Sequence, residues 1–352
     1  MRLRAGVAID LGTVNTLVYV AGRGLVIDEP SAIAVDRKTG AVTAAGEAAD
    51  VLAGKEPLGV EVIHPLRDGV VADLDGAVAM LQAFLRRAGL RRSLLKPSAV
   101  VCVPGGATWV EQRSLAVAAG AVKPRCHVRL VEEPVAAAAG SGGGSADGSG
   151  AFIVDIGGGT TEVAVVTSGH LVRAQSLRLG GNAMDEAIVN AVKADLGLLI
   201  GRNAARNLKM NLGLSEAGSG WVETVGVDAA SRAPRVEYVT SGLVARALEH
   251  IVAMIVASVR EMLSDIPPNL AEDVVRGKIR LAGGGALLPG LASRIEVATT
   301  IPVVVVDDPL RCVVRGAAEI LEHSEAISGA GALWPRRQHD RDRVTGPSAS
   351  PA

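Results

Sequence analysis

The sequence has almost no net charge. Its 36 Lys and Arg residues against 37 Asp and Glu leave −1 over 352 residues. No global field draws such a chain to nucleic acid or to a membrane, and any such contact has to be local. Nucleic acid is therefore not an expected partner. Cysteine is scarce: Cys102, Cys126 and Cys312 stand far apart, without the close spacing that metal ligation uses. Their mostly apolar surroundings suit buried thiols in a reducing cytoplasm. Long apolar runs are missing as well. The longest uninterrupted one, residues 251–257, falls far short of the roughly 20 residues a membrane-spanning helix needs. Met1-Arg2-Leu3-Arg4 leads directly into an apolar run, and no secretory leader is expected there. What the chain has in quantity is apolar residues, 49% of the total, enough for the cores of two or three ordinary domains.

One short stretch organises the rest: Asp10-Leu11-Gly12-Thr13-Val14-Asn15-Thr16, set between apolar runs at 7–9 and 17–20. Short β-branched runs around a Gly/Asn turn read as a β-hairpin. This turn carries a carboxylate, a glycine and two hydroxyls. Those groups suit a phosphate-metal site: backbone N–H groups close to anionic oxygens, hydroxyl donors, and a hard oxygen ligand for hydrated Mg²⁺. The chain then repeats it as Asp155-Ile156-Gly157-Gly158-Gly159-Thr160-Thr161, again Asp-apolar-Gly-x-x-x-Thr between strands. One such hairpin is often an ordinary turn. A matched pair far apart in sequence implies two similar lobes facing one nucleotide.

After the first hairpin, residues 22–27, 32–35 and 41–44 read as strands and 45–66 as a small mixed insertion. Leu74, Val78, Leu81 and Leu85 recur at helical spacing, and that helix ends in a basic segment, 86–96. A buried strand at 98–103 stops at Pro104-Gly105-Gly106; a helix at 108–119 and a strand at 128–131 follow. Glu132-Glu133-Pro134 opens an Ala-rich helix, with proline suited to its first turn. A carboxylate at that end is favoured by the helix dipole, so Glu133 is expected to stay ionised and to accept from a water. Residues 141–150 (SGGGSADGSG) are the clearest joint, directly before the second hairpin. Beyond it come helices at about 181–196 and 204–212, strands at 222–227 and 235–240, and a long core helix at 243–263. A strand at 278–281 runs into Ala282-Gly283-Gly284-Gly285-Ala286, and a helix follows Pro289. A strand at 303–306 and a last helix at about 313–321 complete the pattern. The expected division is a first lobe at 1–147 with a subdomain at about 31–66, and a second at 148–308 with one at about 200–242. A return helix at 309–323 and a disordered tail at 324–352 follow.

The pair DLGTVNT (10–16) and DIGGGTTEVAVV (155–166), with LAGGGALLPGL (281–291), resembles the actin-like ATPase superfamily. Finer strings narrow the resemblance to the MreB family of bacterial actins: VAIDLGTVNTLVYV (7–20), DEPSAIAVDRKTG (28–40), RDGVVAD (67–73), VEEPVAAAAG (131–140), MDEAIV (184–189) and SDIPPNL (264–270). The resemblance implies an α/β, actin-like ATPase fold, two ribonuclease-H-like lobes around a cleft for ATP and Mg²⁺. It implies that Asp10 and, from the second lobe, Asp155 hold the metal through water. Gly12, Thr13, Val14 and Asn15 would line the phosphates, as would Gly157, Gly158 and Gly159. Thr160 would sit near the attacking water and Glu133 would orient it. Gly283, Gly284, Gly285 and Ala286 would pass close to the adenosine, with Arg206 and Lys209 towards the nucleoside.

Several positions depart from the family's pattern. Asn182 stands where an Asp is usual, Arg206 where a Glu is, Asn211 for an acid and His64 for an Arg. An arginine cannot accept from ribose hydroxyls, so the nucleoside contacts are altered while the phosphate and metal set is kept. The resemblance implies a slow Mg²⁺-dependent ATPase that forms filaments, with itself or with a related MreB-type subunit, and organises cell-wall synthesis and cell shape. Cell-wall synthesis and shape-determining membrane proteins would be its partners at the inner face of the anionic membrane. Leu94 and Leu95, inside the basic segment, would touch the bilayer, and Val110 would lie where paired filaments meet. Two other readings stay open: a nucleotide-binding scaffold or co-polymer subunit with little hydrolysis, and a sugar-kinase-type enzyme on the same fold. A DnaK-type chaperone is not expected.

Overall fold

The structure, a computed structural model, describes residues 6–90, 98–120, 127–142, 149–215 and 220–330. Strands β1 Val7–Leu11 and β2 Asn15–Val20 make the first hairpin, followed by β3 Gly24–Pro30, β4 Ile33–Asp36, β5 Val42–Ala45, helix α1 Glu47–Asp50, β6 Val60–Ile63, β7 Leu66–Arg67 and β8 Val70–Val71. Next come α2 Leu74–Arg87, β9 Ser98–Val103, α3 Trp109–Gly120, β10 His127–Glu132 and α4 Glu133–Gly140. The second half opens with β11 Gly150–Ile156, β12 Thr161–Thr167, β13 His170–Leu177, α5 Gly181–Leu196, β14 Leu198–Leu199, α6 Arg202–Leu212, β15 Trp221–Asp228 and β16 Pro234–Thr240. It ends with α7 Ser241–Ser264, α8 Pro268–Gly277, β17 Ile279–Ala282, α9 Leu291–Thr299, β18 Val303–Val305 and α10 Cys312–Ala330.

Two five-stranded sheets share one plan, β3-β2-β1-β9-β10 and β13-β12-β11-β17-β18. In each, an antiparallel meander is extended by two parallel strands. The register repeats as well: Leu11 pairs with Thr16 and Ile156 with Thr161, closing turns of equal length. Asp10 and Asp155 therefore occupy the same place on their sheets. Two smaller sheets, β5-β4-β6 and β14-β15-β16, stand as insertions.

Successive strand residues face opposite sides, and each large sheet uses both. One face of the first packs Val7, Ile9 and Val101 against Met80, Leu81, Phe84 and Leu115 of α2 and α3. One face of the second packs Phe152, Val154 and Val163 against helices that include α5 and α7. The remaining faces meet a shared layer made of α4 and α10, where Ala136, Ala137, Ala317 and Leu321 lie against Val100 of one sheet and Ile153 of the other. The two helices cross closely enough to require glycine. A Cβ on Gly316 would stand 1.8 Å from Ala136 O, and one on Gly140 2.0 Å from Cys312 O. Helix α7, 24 residues long, is apolar enough in composition to cross a membrane. Its Leu248, Val252, Ile255 and Val259 are instead buried in the second lobe's core.

Two elements escape the sequence pattern. β13 interleaves Arg173, Gln175 and Ser176 with its apolar residues because it is an edge strand with one side open. α8 begins at Pro268, in a proline pair that reads as a stop for the helix before it; the same residue opens the next helix. α10 also runs to Ala330, past the expected end near 321. Leu94 and Leu95, residues 143–148 of the expected joint, and residues 331–352 lie outside the described residues.

Candidate active site

The two hairpin turns face each other. A Cβ on Gly158 would lie 2.1 Å from Val14 Cγ2, and one on Gly159 2.6 Å from Thr13 Oγ1. Bare backbone on the second turn is what lets the lobes meet there. Two carbonyls of the first turn and two of the second take donors from neighbouring segments. Ser31 Oγ donates to Gly12 O at 2.6 Å and Ser31 N–H to Val14 O at 2.7 Å. At the start of α5, Gly181 N–H donates to Gly157 O at 3.0 Å and Asn182 N–H to Gly158 O at 2.8 Å. The N–H groups of Thr13, Val14, Gly158 and Gly159 find no acceptor among the described residues. Unpaired backbone donors on two turns this close suit an anion with several oxygens, such as a polyphosphate.

A third turn is clasped between them. Asp68 and Gly69 both adopt positive φ, 50° and 78°. Gly69 N–H donates to Thr13 Oγ1 at 2.9 Å, and a Cβ on Gly159 would stand 2.8 Å from Asp68 Cα. Thr160 is buried at this junction, its Cγ2 2.9 Å from where a Gly69 Cβ would be. Sequence reasoning used this Asp-Gly pair for the resemblance alone; its turn chemistry was the local signal that a tight loop enters the cleft.

Carboxyl groups crowd the floor. Burial pushes Asp10 up to about 7. Burial, then Asp10 and Glu162, push Asp155 up to about 8. Glu133 is pushed well above the usual range, by burial first and then by Asp10, Glu162 and Asp155. This works against the ionised form that the helix start favours for Glu133. The dipole of the eight-residue α4 is outweighed by desolvation and like charges. Among the described residues no group of three or more ligating side chains could hold a metal ion. Two carboxylates beside a polyphosphate cradle fit Mg²⁺ instead, which keeps several waters and binds through one or two carboxylates plus phosphate.

The loop at 283–286 passes over the second hairpin. Gly283 has φ 75°, and a Cβ there would stand 2.4 Å from Asp155 Oδ1; one on Gly285 would stand 2.2 Å from Ile156 Cγ2. The end of α6 reaches the same region, with Leu214 N–H donating to Pro289 O at 2.8 Å. Lys209 Nζ donates to Gly181 O at 2.8 Å and lies 2.6 Å from Asp185 Oδ1. Arg206 Nε is 3.7 Å from Asp185 Oδ2. Both cations thus turn to a buried carboxylate on α5, a partner the sequence reading did not give them. Asn211 bonds Asn207 O within α6 at 2.8 Å, and His64 sits 3.5 Å from Asp50 in the first insertion. Val110 lies away from the cleft on α3, exposed beside Trp109.

Two residues were missed. Ser31 reads as a turn residue after a proline, yet it is fully buried under the first hairpin and also lies 2.8 Å from Thr16 Oγ1. Glu162 reads as one polar residue in a strand. It is 1% exposed and accepts from Ser176 Oγ at 2.6 Å and from Gly105 N–H at 3.2 Å.

Comparison with known proteins places the chain among relatives over nearly its whole length. The MreB/Mbl protein family matches residues 4–329. The chain is 41% identical over 330 residues to the cell shape-determining protein MreB of Escherichia coli (strain K12), covering 92% of this chain and 94% of that protein. It is 36% identical over 323 residues to the cell shape-determining protein Mbl of Bacillus subtilis (strain 168), covering 91% and 97%. The crystal structure of MreB5 of Spiroplasma citri bound to AMPPNP superposes with a TM-score of 0.86 at 30% identity, over 94% of this chain and 100% of that one.

Proposed function

The chain belongs to the MreB/Mbl family, and from that premise we propose that it is an ATP-binding cytoskeletal protein that assembles into filaments, hydrolyses ATP slowly and serves cell shape. The observation that carries the reading is the close approach of the two hairpin turns, whose Thr13, Val14, Gly158 and Gly159 N–H groups have no acceptor among the described residues. They would hold the β- and γ-phosphate oxygens. Asp10 and Asp155 would hold waters of the ion's shell, one from each lobe. When bound, Mg²⁺ supplies the positive charge that offsets these carboxylates and the charge developing on the phosphoryl oxygens. Glu133 and Thr160 belong to opposite lobes, so a water is gripped by both only when the lobes are closed. Glu133 would accept from that water and Thr160 would fix its place. Loop 283–286 would border the adenosine, with Lys209 bracing the second hairpin through Gly181.

Filament contacts, a peripheral position on the inner face of the cytoplasmic membrane through Leu94 and Leu95, and cell-wall synthesis and shape-determining membrane proteins as partners belong to the same proposal. An exposed Trp109-Val110 pair on α3 supports the first; the others rest on the resemblance. Of the basic residues before Leu94, Arg87 is already paired with Glu29, which lowers the local charge offered to a bilayer. The test is sedimentation with and without ATP·Mg²⁺, with released phosphate measured in the same tube. Polymer with phosphate release supports the reading. Polymer without phosphate favours the scaffold, and neither removes the filament. Flotation with anionic vesicles decides the membrane part: wild type should float and the Leu94→Ser, Leu95→Ser variant should not.

A further inference from the structure

We propose that Glu162 is a positioning residue: it ties the first lobe's turn 104–106 to the second lobe and so sets the gap between Glu133 and Thr160. The role rests on the hydrolytic reading above. Glu162 lies on β12, two residues beyond Thr160 and opposite Asp155 in register. Opposed residues of an antiparallel pair share a face. That face is the one carrying Ile153, which looks to the shared layer between the lobes. Its two oxygens have different owners. Oε1 accepts from Ser176 on β13 of the second sheet, and Oε2 accepts from Gly105 N–H, in the turn that follows β9 of the first. The carboxylate is therefore a bridge across the two halves.

The turn it holds lies against Pro134, next to Glu133, and against Gly69, which in turn lies against Thr160. A Cβ on Gly105 would lie 3.3 Å from Pro134 Cγ, the residue after Glu133. A Cβ on Gly69 would lie 3.1 Å from Pro104 Cγ and 2.9 Å from Thr160 Cγ2. Gly106 is pressed on Ser176 as well, where a Cβ would stand 2.7 Å from Ser176 Cβ. The turn 104–106 is thus wedged between the start of α4 and the second hairpin, and Glu162 fixes how close it comes. Burying a carboxylate is costly unless its oxygens are used, and here both are. Glutamine can keep both bonds, its Oε1 on Gly105 N–H and its Nε2 on a Ser176 hydroxyl turned to accept, so alanine is the substitution that breaks the tie.

The test uses the full chain as wild type, Glu162→Gln, Glu162→Ala and Ser176→Ala. ATP·Mg²⁺ affinity is measured by calorimetry, hydrolysis of bound ATP by single turnover, and the amides of 104–106 by hydrogen exchange. Glu162→Gln should be the milder variant, and Glu162→Ala should leave affinity nearly unchanged and slow the single turnover by about 10²-fold, the cost of an ångström-scale misplacement. Gly105 should lose protection. Ser176→Ala, which leaves the Gly105 bond, should also be milder, and adding it to Glu162→Ala should cost little more. A single-turnover rate equal to wild type in Glu162→Ala overturns the proposal. So does a loss confined to affinity and melting temperature with Gly105 still protected, since that is a merely structural role. If wild type binds ATP and releases no phosphate, the hydrolytic reading fails separately. The tie is then judged on exchange, and protection of Gly105 kept in Glu162→Ala overturns it.

Discussion

Gly158→Ala separates the two lobes by an amount the geometry gives. Gly158 has no positive φ, so the added methyl strains no backbone; its effect is contact. It would stand 2.1 Å from Val14 Cγ2, where carbon atoms settle at about 3.5–4.0 Å. The turns must part by about 1.5 Å, and N–H···O bonds beyond about 3.2 Å are already weak. Donors of the first and second turns can then no longer reach the same phosphate oxygens. Losing two hydrogen bonds to a charged group costs about 3 kcal/mol or more, roughly 10²-fold in ATP affinity. The cores of both lobes lie elsewhere, so the melting temperature of the nucleotide-free protein should change little. Val14→Ala supplies the check. It removes Cγ2 and keeps the Val14 N–H; the nearest remaining atom is Val14 Cβ, 3.0 Å from the new methyl. A shift of a few tenths of an ångström relieves that, so the double variant should recover most of the affinity. Calorimetry on the four proteins reads the cycle. Wild-type affinity in Gly158→Ala, or no recovery in the double variant, would refute the facing-turn geometry as the phosphate site.

Glu133→Ala should bind ATP normally and lower turnover by about 10²-fold, the usual cost of a lost proton-handling or positioned catalytic group; single-turnover assays check it, and unchanged turnover removes the role. Arg206→Glu should tighten ATP binding by adding a ribose acceptor, while Lys209 keeps Asp185 paired at 2.6 Å; equal affinities by calorimetry would mean that α6 does not face the ribose. Val110→Glu should fold and bind ATP as wild type but abolish filament pairing in electron micrographs, because Val110, Trp109 and Val117 are all exposed on α3; unchanged double filaments would clear Val110. The metal-free protein should lose stability with rising pH. Asp10 and Asp155 keep protons to about 7 and about 8 when folded, against 3.8 ordinarily. The folded state therefore binds more protons in that window, and the contribution present at acid pH is lost through about pH 7 to 8. Melting curves at about pH 6 and about pH 9 check the sign, and Mg²⁺·ATP should flatten the difference.

The sequence by itself determined the two hairpins, their equal turns and their duplicate lobes. Each is written in neighbours along the chain: Asp-apolar-Gly-x-x-x-Thr specifies its own turn, and the near-continuous apolar runs of β11 and β12 specify strands buried on both faces. The start of α4 at Glu133 and the core role of α7 were legible for the same reason, since proline placement and helical spacing are local. Tertiary structure decided what distant residues do to one another. Ser31 becomes the support of the first turn because the bend between β3 and β4 brings its N–H and Oγ to Val14 O and Gly12 O. Arg206 and Lys209 turn to Asp185 because α5 and α6 lie side by side. Glu133 is held towards its protonated form by Asp10, Asp155 and Glu162, none of them near it in sequence. Desolvation and Coulomb repulsion depend on distance in space and on what excludes water, and no spacing along a chain encodes either.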